Sequence, residues 1–182
     1  MGKTRSQIDD EARKFIEAQR VFFVASAPLD AAGHVNLSPK GLDTFRILAP
    51  TKVAYVDFNG SGVETIAHLK ENGRIVLMFC AFQGPPNIFR LYGHGRVIEP
   101  HDPEFPPLAE SFPNHENARS IIVVELTRVT DSCGYGVPQF KYEGERTQLH
   151  AWARHRGPDG LRAYRDQKNR RSIDGLPGIS GE

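Results

Sequence analysis

Short apolar runs separated by turn residues dominate the first 130 residues of the chain. Val21–Ala27 is almost wholly apolar and predicts a buried strand, whereas His34–Ser38 alternates polar and apolar residues, as in a strand with one wet face. Consecutive strands with few helices between them predict a mainly β fold and disfavour a doubly wound parallel sheet. Gly93 and Gly95 predict a bend or bulge, as barrels need at corners. The other predicted strands are Ile47–Leu48, Val53–Val56, Ile75–Phe82, Ile88–Ile98 and Ile121–Thr127.

Three helices are predicted around these strands. Ser6 is a candidate N-cap for the first helix. Ser61 and Glu64 fit a capping box, so a second helix should begin there, and Gly73 should end it. Pro158 should open a third helix that reaches to about residue 169. The segment from 101 to 117 is rich in proline and predicts a short helix at most.

Length and composition describe a soluble protein of one domain. The chain has 182 residues, 39% of them hydrophobic and 25% charged, with 23 Lys and Arg against 22 Asp and Glu. A net charge of +1 gives no general attraction to nucleic acid or to a membrane surface. Cys80 and Cys133 do not form a disulfide framework, which favours reduced thiols and a cytoplasmic location. The seven histidines show no metal-ligand spacing, so no metal site is predicted.

The C-terminal part differs in charge from the rest. Between Arg154 and Arg171 there are seven Lys or Arg residues and two Asp. Residues 138–182 are therefore expected to form a basic extension packed on the single domain of residues 1–182, because the segment is too short for its own core. Its cations either form a solvated helix face or complete a ligand site, and Trp152 is either a packing anchor or a lid over a ligand.

A strand, a glycine-rich turn and a helix start make the candidate binding site. Val53–Asp57 runs into Asn59-Gly60-Ser61-Gly62, and the predicted helix follows. Free backbone N–H groups and the positive end of the helix dipole suit a phosphate. Lys40, in Ser38-Pro39-Lys40-Gly41, would add a charge if the two strands are neighbours. The alternative is an ordinary capped helix with a tight entry turn.

The order of these elements resembles the pyridoxamine 5'-phosphate oxidase-like, FMN-binding split-barrel family. The resemblance covers about residues 10–130, and it includes Arg90-Leu-Tyr-Gly93. Asp131–Pro138 and Ile173–Gly178 look like signatures of one branch of that family. The resemblance implies an antiparallel split β-barrel, a homodimer with FMN at its interface, and an oxidoreductase acting on an unidentified small molecule.

The resemblance also implies which residues bind the cofactor. It places two strands along the flavin and a strand ending in Arg-x-x-Gly near it. In the vitamin B6 oxidase the turn after the second strand carries an Arg-Lys pair for the phosphate, but here Ser61-Gly62 stands in that region. Lys40 and Arg90 would have to supply the missing charge. The implied cofactor residues are Ser38, Pro39, Lys40, Val56, Asp57, Ser61, Gly62, Thr65 and Arg90.

Three functions stay open at this point. The first is FMN-dependent oxidation or reduction, in which the cofactor moves the hydride and no protein acid or base is identified. The second is an F420-dependent reductase on the same barrel. The third is a non-catalytic module that holds flavin or haem. Oxidation of pyridoxamine phosphate itself is disfavoured, because the tail lacks the arginine and histidine pattern for that substrate.

Overall fold

A computed structural model describes residues 2–113 and 115–180 of the chain. Eight strands form one antiparallel sheet in the order β3-β2-β6-β7-β8-β5-β4, with β1 added beside β8. Within the described residues β3 and β4 do not pair with each other, so the barrel is split between these edge strands. This confirms the predicted mainly β split barrel. The elements are β1 (Thr4–Arg5), α1 (Asp10–Glu17), β2 (Phe22–Ser26), β3 (Asn36–Lys40), β4 (Phe45–Ala49), β5 (Lys52–Phe58), α2 (Glu64–Asn72), β6 (Arg74–Cys80), β7 (Ile88–Ile98), α3 (Phe105–Ala109), β8 (Ala118–Ser132) and α4 (Gln148–Lys168).

The two faces of β5 and β8 bury two separate apolar cores. Tyr55 and Ile122 belong to the larger core, which α1 and α2 cover. Val56 and Ile121, one residue along in each case, belong to a smaller core under α3. Successive side chains of a strand point to opposite faces, so a strand that contributes to both cores is apolar on both faces. This explains the continuous apolar runs of β5 and β8.

The two predicted N-cap residues, Ser6 and Ser61, are both wrong. Asp9, not Ser6, caps α1: its Oδ1 accepts the N–H of Ala12 at 2.8 Å. The second helix begins at Glu64 rather than at Ser61, and its N-cap residue Val63 makes no side-chain cap bond. The predicted helix end is confirmed, since Gly73 adopts φ 71° and closes the helix in the left-handed conformation.

The long strands lie close to where the sequence predicts them. β7 has the predicted bounds, and its register shifts between Tyr92 and Gly93, which confirms a bulge there. A Cβ at position 93 would collide with the carbonyl oxygen of Glu125, so the close approach of β8 requires glycine. β8 is longer than predicted at both ends, and one of the added residues is Arg119.

The C-terminal part packs along the barrel. Helix α4 is broken at Gly157, with φ 66° and ψ 175°, and Pro158 opens its second half as predicted. Residues 169–180, here called the C-terminal strap, then run past the start of α2. Lys70 of α2 binds the strap through the carbonyl oxygen of Gly178 at 2.6 Å. No helix in the described part of the chain is both long and apolar enough to cross a membrane.

Candidate functional site

A cleft of about 400 Å³ lies between β3 and the start of α2. It falls within the size range of small-molecule sites. Strands β3, β5 and β8, two loops and α4 all contribute to its wall, so residues distant in sequence meet there. Its lining residues are Asn36, Ser38, Pro39, Lys40, Gly41, Leu42, Thr44, Val56, Phe58, Asn59, Gly60, Gly62, Glu64, Thr65, Arg119 and Leu149.

A buried ion network forms the floor of the cleft. Asp57 is only 1% exposed and binds two cations, Lys40 Nζ to Oδ1 at 2.6 Å and Arg119 Nε to Oδ2 at 2.8 Å. Lys40 comes from edge strand β3, Asp57 from β5 and Arg119 from β8. The network therefore ties β3 to the opposite side of the split.

The charge state of Asp57 follows from its neighbours. Burial alone would raise the pKa of this carboxyl, but the cations of Arg119 and Lys40 outweigh burial and lower its pKa to about 2. Asp57 is thus ionised at neutral pH, and the three groups together carry one net positive charge at the floor of the cleft.

The loop Asn59–Gly62 is held from two sides. Arg119 donates from Nη1 to the carbonyl oxygen of Gly62 at 2.7 Å. From the strap, Asn169 donates its Nδ2 to the carbonyl oxygen of Gly60 at 2.9 Å. Asn169 is fully buried, and a Cβ at Gly178 would collide with its carbonyl oxygen. The loop position therefore depends on packing by the strap as well as on the barrel.

The upper wall of the cleft is polar. Asn36 donates its Nδ2 to Thr65 Oγ1 at 2.8 Å, and Ser38 Oγ donates to Asn36 Oδ1 at 3.1 Å. These residues alternate along β3 with Leu37, which points away and is 63% exposed. The predicted alternation of this strand thus separates a polar face toward the cleft from an apolar outer face.

A carboxylate stands at the start of α2. Glu64 lines the cleft beside Gly62, and a Cβ at Gly62 would collide with Glu64 Oε2. Its other oxygen, Oε1, accepts the backbone N–H of Ile173 from the strap at 3.3 Å. Glu64 therefore does not form a capping box with Ser61, and it places a negative charge where the sequence predicts an anion site.

The strap makes a third contact through His34, which precedes β3. Asp174 accepts the backbone N–H of His34 at 2.8 Å and pairs with His34 Nδ1 at 2.7 Å. These bonds lower the pKa of Asp174, the backbone N–H of His34 first and the His34 side chain second. His34 itself is largely exposed.

Comparison with known proteins agrees with this architecture. A sequence model of the pyridoxamine 5'-phosphate oxidase family matches residues 8–133. The chain belongs to this family. It is 40% identical over 189 residues to the pyridoxamine 5'-phosphate oxidase family protein ustO of Aspergillus flavus, across 94% of this chain and 76% of that protein.

Solved structures share the fold at lower identity. A HupZ variant from group A Streptococcus aligns with a TM-score of 0.55 and 18% identity, over 69% of this chain and 99% of that one. An FMN-binding protein from Syntrophomonas wolfei aligns with a TM-score of 0.50 and 16% identity, over 66% of this chain and 82% of that one. At these identities the likeness shows the split-barrel fold of the family.

The structure brings most of the residues predicted from the family resemblance together. Asp57 lies directly beneath the cleft, whereas Ser61 is exposed on the turn and is not part of the lining. Arg90 also lies outside the lining, with its Nη1 donating to Ser132 Oγ at 3.0 Å. Arg90 therefore does not share this cleft with Lys40 in the single chain, and its part in cofactor binding stays a prediction. The predicted residues that line the cleft are Ser38, Pro39, Lys40, Val56, Gly62 and Thr65.

Three polar residues of this site were not singled out by the sequence reasoning. Arg119 precedes the predicted strand and looks like an ordinary polar residue at a strand start. Its partner Asp57 is 62 positions away, so no local pattern links the two residues. Asn169 stands at the end of a basic segment, where the charged residues around it dominate the sequence pattern. Asn36 lies inside the alternating strand, and its polar position in that alternation is the one available signal.

Proposed function

We propose that this protein is a flavin-binding oxidoreductase of the pyridoxamine 5'-phosphate oxidase family, with FMN as the first candidate cofactor and a small molecule as substrate. The observation that supports it most is the cleft beside edge strand β3, with the cationic network of Lys40, Asp57 and Arg119 at its floor. It combines a polar strand face, a fixed positive charge and a volume suited to a flat ring.

The polar edge of an isoalloxazine ring fits the residues present. In the described part of the chain β3 pairs with β2 on one side only, so backbone groups on its other edge are available to a ligand. Lys40 donates one N–H to Asp57, and its side chain is 21% exposed. Its other N–H groups are therefore available to a ligand in the cleft. When bound, the flavin would supply the hydride-transfer chemistry.

Each residue of the floor has a defined task in this proposal. Asp57 keeps the Lys40 ammonium in one position and compensates part of its charge. Arg119 keeps Asp57 ionised and fixes the loop carbonyl of Gly62. A fixed cation beside the ring would stabilise negative charge that develops on a reduced flavin, which is how proteins tune such cofactors.

Flavin titration of the purified protein tests this function. Lys40→Ala removes a charge-assisted bond typically worth about 1.5–3 kcal/mol, so affinity should fall roughly 10- to 150-fold. Lys52→Ala is the matched control, because Lys52 pairs with Glu125 on the exposed sheet surface at 2.7 Å. Equal affinities for flavin in the two variants, with both folded, would contradict the proposed site.

Two other functions remain as alternatives on the same barrel. An F420-dependent reductase would be distinguished by absorbance, because FMN makes a yellow fluorescent protein and F420 absorbs at shorter wavelength. A non-catalytic flavin- or haem-binding module would bind its ligand without turnover. Oxidation of NADH or NADPH by the loaded protein under air separates an oxidoreductase from such a module.

A homodimer is part of the proposal. The outer face of β3 exposes Leu37, and the neighbouring Val35 is 74% exposed, next to the mouth of the cleft. Apolar side chains beside a ligand cleft are a suitable surface for a second copy of the chain. Sizing in solution should give about twice 20.3 kDa. Leu37→Asp should shift the protein to a monomer. If the unmodified protein itself has the size of a monomer, the proposed dimer is contradicted.

The C-terminal extension is proposed to complete the site. Leu149 of α4 lines the cleft, and His150 meets Phe58 edge-on with ring centroids 5.2 Å apart. A chain ending at Val137 should therefore bind flavin more weakly than the full chain.

The free thiols of buried Cys80 and exposed Cys133 suit the reducing cytoplasm that the composition predicts.

A further inference from the structure

The negative charge at the start of α2 bears on which ligands this cleft accepts. Glu64 reaches over Gly62 into the cleft, and the strap holds it there through the N–H of Ile173. The carboxylate is thus restrained on one oxygen, while the other faces the turn. A phosphate approaching the same helix start would meet this carboxylate first.

The cations around the cleft leave no positive charge in excess once Glu64 is counted. Among the described lining residues the cationic side chains are Lys40 and Arg119, and both bind Asp57. Counting Asp57 and Glu64, the four charges cancel. Arg119 is further committed to the carbonyl oxygens of the loop. A phosphate monoester carries about −1.5 to −2 charges at pH 7, and the cleft has no net positive charge to receive it.

Hydroxyl groups fit the same place well. A carboxylate only accepts hydrogen bonds, and bonds from O–H groups to a carboxylate are short and strong. Thr65 Oγ1 and the Asn36 side chain lie on the adjoining wall and bond to each other. Together with Glu64 they form a row of polar groups, and none of the three carries the positive charge that a phosphate requires.

We propose that Glu64 is a specificity-determining residue that selects ligands ending in hydroxyl groups at the start of α2 and disfavours phosphate there. This inference rests on the proposed flavin function and refines it. The cleft should bind riboflavin, whose side chain is a neutral polyol, at least as tightly as FMN, which differs from it by one phosphate.

Parallel titrations with riboflavin and FMN, followed by flavin fluorescence, test the inference. The unmodified protein should show no preference for FMN. Glu64→Gln removes the charge and keeps the shape, so FMN affinity should rise by about fivefold or more while riboflavin affinity changes much less. Glu71→Gln on the same helix is the matched control, because Glu71 contacts Leu29 and Asn72 and is not part of the lining.

Salt provides a second readout. Raising the ionic strength screens the repulsion, so FMN binding should gain on riboflavin binding in the unmodified protein and change less in Glu64→Gln. A strong preference of the unmodified protein for FMN that Glu64→Gln leaves unaltered would overturn the inference and leave the flavin function standing. Failure to bind either flavin would overturn both.

Discussion

The floor of the cleft and its C-terminal side are held by different physical means. At the floor, the carboxylate of Asp57 is excluded from water and bound by two cations from separate strands. On the C-terminal side, the strap is attached by hydrogen bonds, several of them near water, as with His34 and Asp174. Stability should therefore depend mainly on the floor, whereas the loop Asn59–Gly62 needs the strap as well as the barrel to hold its position.

The largest effect is expected from Asp57→Asn. Loss of this charge leaves Arg119 and Lys40 without a counter-ion, and breaking a buried pair typically costs about 3–5 kcal/mol. Glu125→Gln is the control, because it breaks the exposed pair with Lys52 on the same two strands, where about 0–1 kcal/mol is typical. Denaturant unfolding measures both, and similar losses would refute the stabilising role of the floor.

Acid should reveal the same network without mutation. The pKa of Asp57 falls from an ordinary 3.8 to about 2 on folding, so its stabilising contribution is present above pH 3.8 and is lost as the pH approaches 2. The contribution corresponds to about 2 kcal/mol. Unfolding free energies measured between pH 5 and pH 2 should show this loss, and the slope should be smaller in Asp57→Asn.

Asn169→Ala tests the strap side. It removes the bond to the Gly60 carbonyl oxygen from a fully buried side chain, which should cost about 1–2 kcal/mol. The more informative readout is flavin affinity, which should fall because the loop loses its side-chain bond from the strap. Retained affinity after a comparable loss of stability would mean that the barrel-side bonds of Arg119 and Asn59 are enough to position the loop.

The smallest effect is expected from Asp174→Asn. The contact with His34 lies near the surface, so the thermal midpoint at neutral pH should change less than for Asn169→Ala. Because the pKa of Asp174 is lowered in the fold, any contribution is present above its ordinary pKa and is lost on acidification through the lowered value. A large change at neutral pH would show that the strap is anchored mainly here.

The same contrast explains what the sequence could predict. The positions of the long strands along the chain, the bulge at Gly93 and the helix end at Gly73 depend on local patterns, and they are confirmed. The start of α2 was misplaced because Ser61 and Glu64 have capping-box spacing, whereas the structure uses Glu64 as a first-turn residue that contacts the strap. Spacing alone does not show where a flexible carboxylate points.

The candidate site was predictable on one side of the cleft only. Lys40 and Gly62 were found because each lies at the end of a recognisable strand or at a turn. Arg119 and Asn169 were not, because their partners Asp57 and Gly60 are 62 and 109 positions away. Pairings over such distances depend on how the whole chain folds, and a single sequence carries little local trace of them.

The bond from Asn169 to Gly60 also orders events during synthesis of the protein. The strands found in the described residues all precede residue 133, so they can pair before the strap leaves the ribosome. The loop beside the cleft gains its bond from Asn169 only after the chain has grown 109 residues past Gly60. Contacts so distant along the chain close late, because the intervening segment must first lose its freedom. A nascent chain that has not yet reached Asn169 can thus have a paired barrel while the loop beside the cleft still lacks its bond to the strap.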